Sequence, residues 1–164
     1  MVKAEIITIG DEILYGQILD TNTQWISLEL DKLGIKTVRK SSVGDQKSEI
    51  LQILTEAAKR ADVVFITGGL GPTKDDLTKK ILAEYFGCEL AMHPIALQDV
   101  TEFFAKRGRE LSDINRDQAL LPTKAEFIRN SPLSPLIETE FLGSKSMEKV
   151  ESDPLSKVSI RLKL

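Results

Sequence analysis

Two kinds of hydrophobic pattern alternate along the first 86 residues of the chain. Short apolar runs bounded by glycine or charged residues predict β-strands at residues 2–9, 35–43 and 62–67. Apolar residues at helical spacing predict helices at about 21–33, at 47–60, and again from about residue 75. Strands separated by helices of this length pair in parallel through right-handed crossovers. We therefore predict a three-layer α/β/α domain on a mainly parallel sheet.

The same spacing predicts which side of each helix is buried. The first helix has the apolar positions Trp25, Ile26, Leu28, Leu30 and Leu33. Beyond residue 87 a helix is predicted to begin at His93-Pro94 and to pack Ile95, Val100, Phe103 and Phe104 inward. His93 is interpreted as a cap rather than a metal ligand, because no second His or Cys is near. Ser112 is predicted to cap a helix at 113–120, which Pro122 ends.

Residues 67–78 form the most unusual stretch, and we refer to them as the glycine loop. Three glycines occur within four residues directly after an apolar strand, and a helix with Leu77, Ile81 and Tyr85 on one face follows. Glycine is used where the backbone takes a positive φ or approaches a ligand closely. A strand, a glycine-rich turn and a helix N-terminus together favour anion binding, because free N–H groups point at the ligand.

Two acidic residues, Asp75 and Asp76, stand where this helix begins. One interpretation is that a carboxylate only caps the helix. The other is that both carboxylates hold a divalent cation, such as Mg²⁺, that also binds phosphate oxygens. The spacing matches neither a Walker A loop nor the Rossmann glycine motif.

The segment Thr67-Gly68-Gly69-Leu70-Gly71-Pro72-Thr73-Lys74-Asp75-Asp76-Leu77-Thr78 resembles the signature of the competence/damage-inducible protein A (CinA) family. The segments Ile9-Gly10-Asp11-Glu12-Ile13-Leu14-Tyr15-Gly16-Gln17, Leu19-Asp20-Thr21-Asn22-Thr23 and Asn115-Arg116-x-Gln118-Ala119 agree with it. The N-terminal domain of that family is similar to the MoaB/Mog molybdopterin-binding domain. The resemblance implies this fold over residues 1–130, with the loops after the first three strands meeting at one sheet edge.

The resemblance also implies the residues of a site. Asp45 and Asp76 would be catalytic, and Asp11, Asp75 and Asp76 would bind the metal. Phosphate or nucleotide contacts would come from Gly10, Asn22, Thr67, Gly68, Gly69, Gly71, Pro72, Thr73, Thr78, Asn115 and Arg116. Two of these residues have a second interpretation: Asp45 suits an N-cap of the helix at 47–60, and Arg116 suits a surface salt bridge.

Three functions remain open at this point. The first is metal-dependent hydrolysis of a nucleotide diphosphate such as ADP-ribose, which the family resemblance implies. The second is molybdopterin binding or adenylyl transfer as in Mog-like proteins, although Leu70 stands where their loop has a threonine. The third is a catalytically inert module that binds nucleotide or oligomerises. Since related domains assemble, a dimer or trimer is expected.

Composition and charge limit the classes of partner and the cellular compartment that we expect for this chain. A net charge of −3 gives no basic surface for nucleic acid, and the family resemblance implies a small-molecule nucleotide or pterin ligand. No apolar run approaches the 18 residues of a membrane span. The single cysteine, Cys88, cannot form an internal disulfide, which is typical of a reducing cytoplasm.

The C-terminal segment, residues 131–164, departs from the family pattern. The resembled domain continues with a Gly-Thr-Ala-Pro-Gly-like turn and a Leu-Pro-Gly-x-Pro-like loop, and neither sequence follows residue 130. Residues 136–142 and 157–164 have the patterns of two strands. We expect either that this segment is a divergent or shortened end of the domain, with the two strands completing or extending it, or that the chain is a fragment of a longer protein. The amidase domain that many CinA proteins carry is not in this sequence.

Overall fold

The computed structural model describes residues 1–68 and 77–128. Over these ranges the strands are β1 (Lys3–Ile9), β2 (Lys36–Val43), β3 (Val63–Gly68), β4 (Leu90–Met92) and β5 (Leu120–Pro122). The helices are α1 (Asp11–Leu14), α2 (Thr21–Lys32), α3 (Lys47–Arg60), α4 (Leu77–Tyr85), α5 (Pro94–Ala105) and α6 (Asp113–Arg116), followed by a 3-10 helix at Asp117–Ala119. None of the described helices is long and apolar enough to cross a bilayer.

The central sheet has three parallel strands in the order β2-β1-β3. At its carboxyl edge Ile9 lies opposite both Val43 and Gly68. Every residue of β1 after Lys3 is buried, because this strand has a neighbour on each side and a helical layer on each face. The predicted parallel sheet is therefore confirmed.

Two apolar cores cover the two faces of this sheet. On one face Ile7, Ile9, Val64 and Ile66 pack with residues of α3 and α4, which include Ile50, Leu54, Ile81 and Leu82. On the other face Ala4, Ile6 and Phe65 pack with Ile26 and Leu30 of α2. Alternate residues of a strand point to opposite faces, so β1 supplies both cores. This arrangement is the predicted three-layer α/β/α fold.

A buried hydrogen-bond network joins β1 to the start of α2. Asp20 caps the helix by accepting a hydrogen bond from the backbone N–H of Thr23 at 2.9 Å. The Thr8 hydroxyl of β1 donates to the Asp20 carboxylate at 2.7 Å, and the Thr23 hydroxyl donates to it as well. Burial alone would raise the pKa of Asp20, but these hydrogen bonds outweigh it and hold the pKa below its ordinary value.

The close approach of β3 to β1 explains why β3 ends in glycine. Gly68 has a φ of 91°, and a β-carbon placed there would lie 2.0 Å from the carbonyl oxygen of Ile9. Such a contact is impossible without moving a backbone. Gly34, which ends the turn after α2, also has a positive φ, of 72°, but a β-carbon there would meet nothing within 4 Å.

The predicted helix faces are partly wrong. Leu28 and Leu33 are 56% and 52% exposed, whereas Thr23 of α2 is buried. On α5, Ile95 and Phe103 are exposed and Ala96 is buried. The buried stripe of each helix is narrower than the apolar spacing suggests: Thr23 lies on the buried side of α2, and Ala96, which packs with Ala119 and Leu121, lies on that of α5.

The predicted helix at 113–120 is also wrong in its second half. The α-helix ends at Arg116, a 3-10 helix follows, and Leu120 begins β5. β5 pairs antiparallel with β4 in a second, two-stranded sheet that the sequence analysis did not predict. The pairing of Leu120 with Met92 replaces the last helical turn. Two caps are confirmed, since the His93 ring accepts from the Ala96 N–H and the Ser112 hydroxyl accepts from the Asn115 N–H.

Several predictions lie outside the described residues. These are the positions Gly69, Gly71, Pro72, Thr73, Asp75 and Asp76, the strands at 136–142 and 157–164, and the boundary at residues 130–131.

Replacing Gly68 by alanine should destabilise the protein more than the same change at Gly34. Both substitutions carry the strain of a positive φ, about 1–2 kcal/mol, and only the first adds a clash with the Ile9 carbonyl. We expect a total loss of about 3 kcal/mol or more at Gly68, measured by urea unfolding followed through Trp25 fluorescence. Equal losses at the two positions would contradict the close contact.

The charge on Asp20 should stabilise the folded protein only above acidic pH. Because its pKa is lower in the folded state, its contribution is complete above the unfolded value of about 3.9 and disappears as the pH falls through the folded value. Asp20→Asn keeps an acceptor but loses the charge, so at about pH 7 it should cost about 1 kcal/mol. This gap to the wild type should narrow below about pH 4.

The matched control for this experiment is Asp31→Asn, which removes one exposed carboxylate near the other end of α2. A gap for Asp20→Asn that stays constant or widens in acid would show that its carboxylate is not the group stabilised by the network.

Candidate functional site

The carboxyl ends of three parallel strands form the candidate site. β1 ends at Ile9, β2 at Val43 and β3 at Gly68, and these three residues lie side by side in the sheet. Each strand is followed at once by a segment that carries predicted site residues. Ligands of open α/β sheets bind at this kind of edge.

The loops after β1 and β2 are joined at this edge through Asp11. The backbone N–H of Gly10 donates to the Val43 carbonyl at 3.0 Å. The carboxylate of Asp11 accepts from the backbone N–H of Asp45 at 3.3 Å. A β-carbon on Gly44 would stand 2.5 Å from the same carboxylate oxygen, so the Asp11 side chain lies directly over the backbone of the second loop. The structure therefore brings Gly10, Asp11 and Asp45 together.

Asp45 is not the N-cap of α3. The helix begins after Gln46, whose side chain makes no capping hydrogen bond. Asp45 lies one residue further from the helix, at the strand end, with its N–H bonded to Asp11. The N-cap position therefore belongs to Gln46, and Asp45 lies beyond the end of β2, beside Asp11.

A second carboxylate, Glu12, folds back over the end of β1. A β-carbon on Gly10 would stand 2.7 Å from one of its oxygens. Glu12 belongs to one of the segments that agree with the family signature, and no role was predicted for it. It adds negative charge where Asp11 and Asp45 already lie, which favours a cation at this edge.

The third strand end is tied to α2. The Asn22 side-chain amide donates to the Thr67 hydroxyl at 3.4 Å, and Asp20, two residues before Asn22, fixes the start of that helix. These contacts bring the predicted ligand-binding residues Asn22, Thr67 and Gly68 to the same edge. The hydrogen bond from Thr8 to Asp20 could not be inferred from local pattern.

Thr78 differs from the other predicted contact residues because it is buried. It lies in the first turn of α4 and is 1% exposed. Its hydroxyl has no hydrogen-bond partner within residues 1–68 and 77–128. A buried hydroxyl without a partner is uncommon in folded proteins, and this one belongs to the last residue of the glycine loop.

Asn115 and Arg116 lie on α6, away from the strand ends in sequence. Asn115 accepts a hydrogen bond from the Gln118 side chain at 3.1 Å. Arg116 is exposed and makes no ion pair with any residue that the structure describes, so the salt-bridge interpretation is not supported there. The segment is joined to α4 through Lys79, a buried lysine that the sequence analysis did not single out.

The described residues contain no group of three His, Cys, Asp or Glu side chains placed to hold a metal ion. Asp11 is the one predicted metal ligand among the described residues, since Asp75 and Asp76 lie in the stretch 69–76 that the structure does not describe. The donors present are carboxylate oxygens, which suit Mg²⁺ rather than zinc.

Comparison with known proteins agrees with this architecture. A family described as "Probable molybdopterin binding domain" matches residues 5–151. The CinA-like protein of Cytophaga hutchinsonii is 57% identical over 129 residues, which cover 79% of this chain and 31% of that protein. The chain thus spans about a third of the length of the curated relatives that it matches.

Two solved structures resemble the fold closely enough to compare. The protein CinA of unknown function from Thermoplasma acidophilum has a TM-score of 0.69 at 32% identity, and the match covers 80% of this chain and 76% of that one. The tungsten cofactor synthesizing protein MoaB from Pyrococcus furiosus has a TM-score of 0.52 at 33% identity, with 65% and 67% covered. The chain therefore belongs to the family of probable molybdopterin binding domains, as one of its CinA-like members.

Proposed function

We propose that this domain binds a nucleotide diphosphate such as ADP-ribose at the carboxyl edge of the sheet and hydrolyses its pyrophosphate with the help of a divalent cation. The observation that carries the proposal is the contact between Asp11 and Asp45. Two loops that are 34 residues apart meet through the Asp11 carboxylate and the Asp45 N–H, at the edge where Gly68 leads into the glycine loop.

The charges at this edge suit a cation and a phosphate together. Asp11, Glu12 and Asp45 would repel a bare diphosphate, so a divalent cation is needed to neutralise both sides. Asp11 is the described residue that would bind it, and Asp75 and Asp76 would complete the set. When bound, such a cation polarises the phosphoryl group and lowers the pKa of an attacking water.

The protein's own residues would then bind the phosphate groups, orient the attacking water and accept its proton. The glycine loop and Thr78 would bind phosphate oxygens through N–H and O–H donors. Asp45 and Asp76 would orient the water and accept its proton as it adds to one phosphorus. The bridging P–O bond breaks, the leaving phosphate retains that oxygen, and the products are AMP and ribose phosphate.

Molybdopterin is the second candidate ligand. The matched family of probable molybdopterin binding domains favours it, and one of the two compared structures is the tungsten cofactor synthesizing protein MoaB. A pterin pyrophosphate or an adenylylated pterin presents the same anionic group to the sheet edge. The two proposals therefore share a phosphate site and differ in the ring that lies beside it. Homo-oligomerisation stays a prediction for either ligand.

The catalytic proposal predicts that Asp45→Asn abolishes most turnover. The full chain is titrated with ADP-ribose by calorimetry, with and without Mg²⁺, and AMP release is then measured on the same sample. Wild-type protein should bind more tightly with Mg²⁺ and release AMP, and Asp45→Asn should lower kcat about a hundredfold or more while remaining folded. Asp76→Asn should do the same.

The matched control is again Asp31→Asn, an exposed carboxylate change near the other end of α2 that should leave turnover unchanged. Full activity in Asp45→Asn would remove that residue from the chemistry. Binding without AMP release would favour a non-catalytic nucleotide-binding module. Failure to bind ADP-ribose, together with retention of a fluorescent pterin or consumption of ATP in its presence, would favour the molybdopterin reading.

A further inference from the structure

Residues 14–19 place neighbouring apolar side chains in water, and we call this segment the apolar loop. Its sequence, Leu-Tyr-Gly-Gln-Ile-Leu, contains no charged residue. Tyr15 is 67% exposed, Ile18 is 58% exposed and Leu19 is 80% exposed. A single exposed apolar side chain is ordinary, but neighbouring ones that form a patch indicate a surface that binds another molecule.

The backbone of the apolar loop is folded, so the exposure does not come from a loose chain. The Tyr15 N–H donates to the Asp11 carbonyl at 2.9 Å. The N–H groups of Gln17 and Ile18 donate to the Glu12 carbonyl at 2.9 and 3.1 Å. The loop is therefore a turn that holds its apolar side chains in water, which is unfavourable until another apolar surface covers them.

Both ends of the apolar loop are fixed at the carboxyl edge of the sheet. At its start Leu14 lies against the loop after β2, because a β-carbon on Gly44 would be 3.4 Å from the Leu14 side chain. Beyond its end Asn22, in the first turn of α2, donates to Thr67 of β3. The apolar loop therefore runs from the β2 side of this edge to the β3 side.

Charged and apolar surfaces are adjacent at this edge. Asp11 and Glu12, which lie where the proposed cation would bind, come shortly before the apolar loop and accept its backbone hydrogen bonds. Small-molecule sites have this composition, with apolar side chains for most of the contact and a few polar groups that fix the orientation. A ligand that joins a metal-bound phosphate to a planar ring matches both surfaces.

The size of the patch favours a small planar molecule over a protein partner. A stable protein interface takes about 20–30 residues from each side, whereas the apolar loop supplies six. Tyr15 offers an aromatic face on which a ring can stack, and Ile18 and Leu19 offer aliphatic surface near it. The exposed Gln17 amide can both donate to and accept from the edge of a heteroaromatic ring.

We propose that the apolar loop is the subsite for the aromatic ring of a phosphorylated ligand, and that Tyr15 stacks on this ring. The inference rests on the proposed function for the phosphate part of the ligand and adds the residues that bind the remaining part. Purine and pterin rings share the chemistry that the loop recognises, since both are flat, neutral and edged with donors and acceptors.

The first test uses rings without phosphate, so that its result depends neither on the cation nor on the phosphate contacts. Adenosine and pterin are each titrated into the full chain, and the NMR signals of residues 14–19 are followed. At least one ring should shift these signals to saturation in the wild type and not in Tyr15→Ala, and the ring that does so identifies the ligand class. No shift with either ring would overturn the inference.

Affinity for the complete ligand gives the second readout. Calorimetry with Mg²⁺ compares ADP-ribose with inorganic pyrophosphate, which has no ring. Tyr15→Ala should weaken ADP-ribose binding about tenfold or more, the scale of removing an aromatic side chain that stacks on a base, and should leave pyrophosphate binding unchanged. Tyr15→Phe keeps the aromatic face and should bind like the wild type. Equal losses for the two ligands would contradict a ring subsite.

Phe103→Ala is the matched control, because it removes another exposed aromatic ring, 51% exposed, on α5. It should change neither readout. Sedimentation of the wild type and of Tyr15→Ala tests the alternative occupant, a second copy of the chain. An assembly that forms in the wild type and dissociates in Tyr15→Ala would overturn the inference, since the apolar loop would then be a contact between copies.

The free-ring titration keeps this inference and the proposed function apart. If ADP-ribose does not bind while one free ring shifts residues 14–19, the proposed function fails and the ring subsite stands. If ADP-ribose binds with equal affinity in the wild type and in Tyr15→Ala, the proposed function stands and the ring subsite fails.

Discussion

The fold depends on the complete burial of one central strand. β1 has a parallel neighbour on each side and a helical layer on each face, so its alternate apolar residues supply two separate cores.

Its two buried polar residues, Glu5 and Thr8, point to opposite faces. Glu5 is paired with Arg60 at the end of α3 through two hydrogen bonds, and Thr8 is bonded to Asp20 at the start of α2. Each would be costly to bury alone. Together they fix one helix on each face at a set height along the strand, which apolar packing by itself does not do.

Because α2 and α3 are held at fixed positions along β1, the residues that follow the strands also have defined positions at the carboxyl edge of the sheet. Because β1 is central, its carboxyl end lies between the ends of β2 and β3. The residues that follow β1 contact both sides, since the Asp11 carboxylate accepts from the Asp45 N–H and the Asn22 amide donates to the Thr67 hydroxyl. Among the described residues, the carboxylates Asp11, Glu12 and Asp45 follow β1 and β2, and the Thr67 hydroxyl and Gly68 lie at the end of β3.

Sequence pattern predicted the parallel sheet, the order of its elements and the bounds of α3, because each strand and helix in this region has a strong apolar period. It did not predict the pairing of β4 with β5, since three-residue strands carry too little pattern to detect. Leu28, Leu33, Ile95 and Phe103 were assigned to the core and are exposed, because apolar spacing alone does not say how wide a contact the neighbouring elements offer. The meeting of Gly10, Asp11, Asp45 and Gly68 followed only from the family resemblance, since strand order is not written in local pattern. The sequence did not indicate that Lys79 is buried, because a lysine on a helix is usually solvated.

The contact between Gly68 and the Ile9 carbonyl also limits how such a domain can diversify. No side chain fits at this position, so the exit from β3 is the same for every ligand that the fold accommodates. Differences in ligand preference must therefore arise at other positions, such as the loops after β1 and β2, where Asp11, Glu12 and Asp45 lie. The backbone at Gly68 is therefore expected to stay constant, and the residues that determine which ligand binds lie in the segments around it.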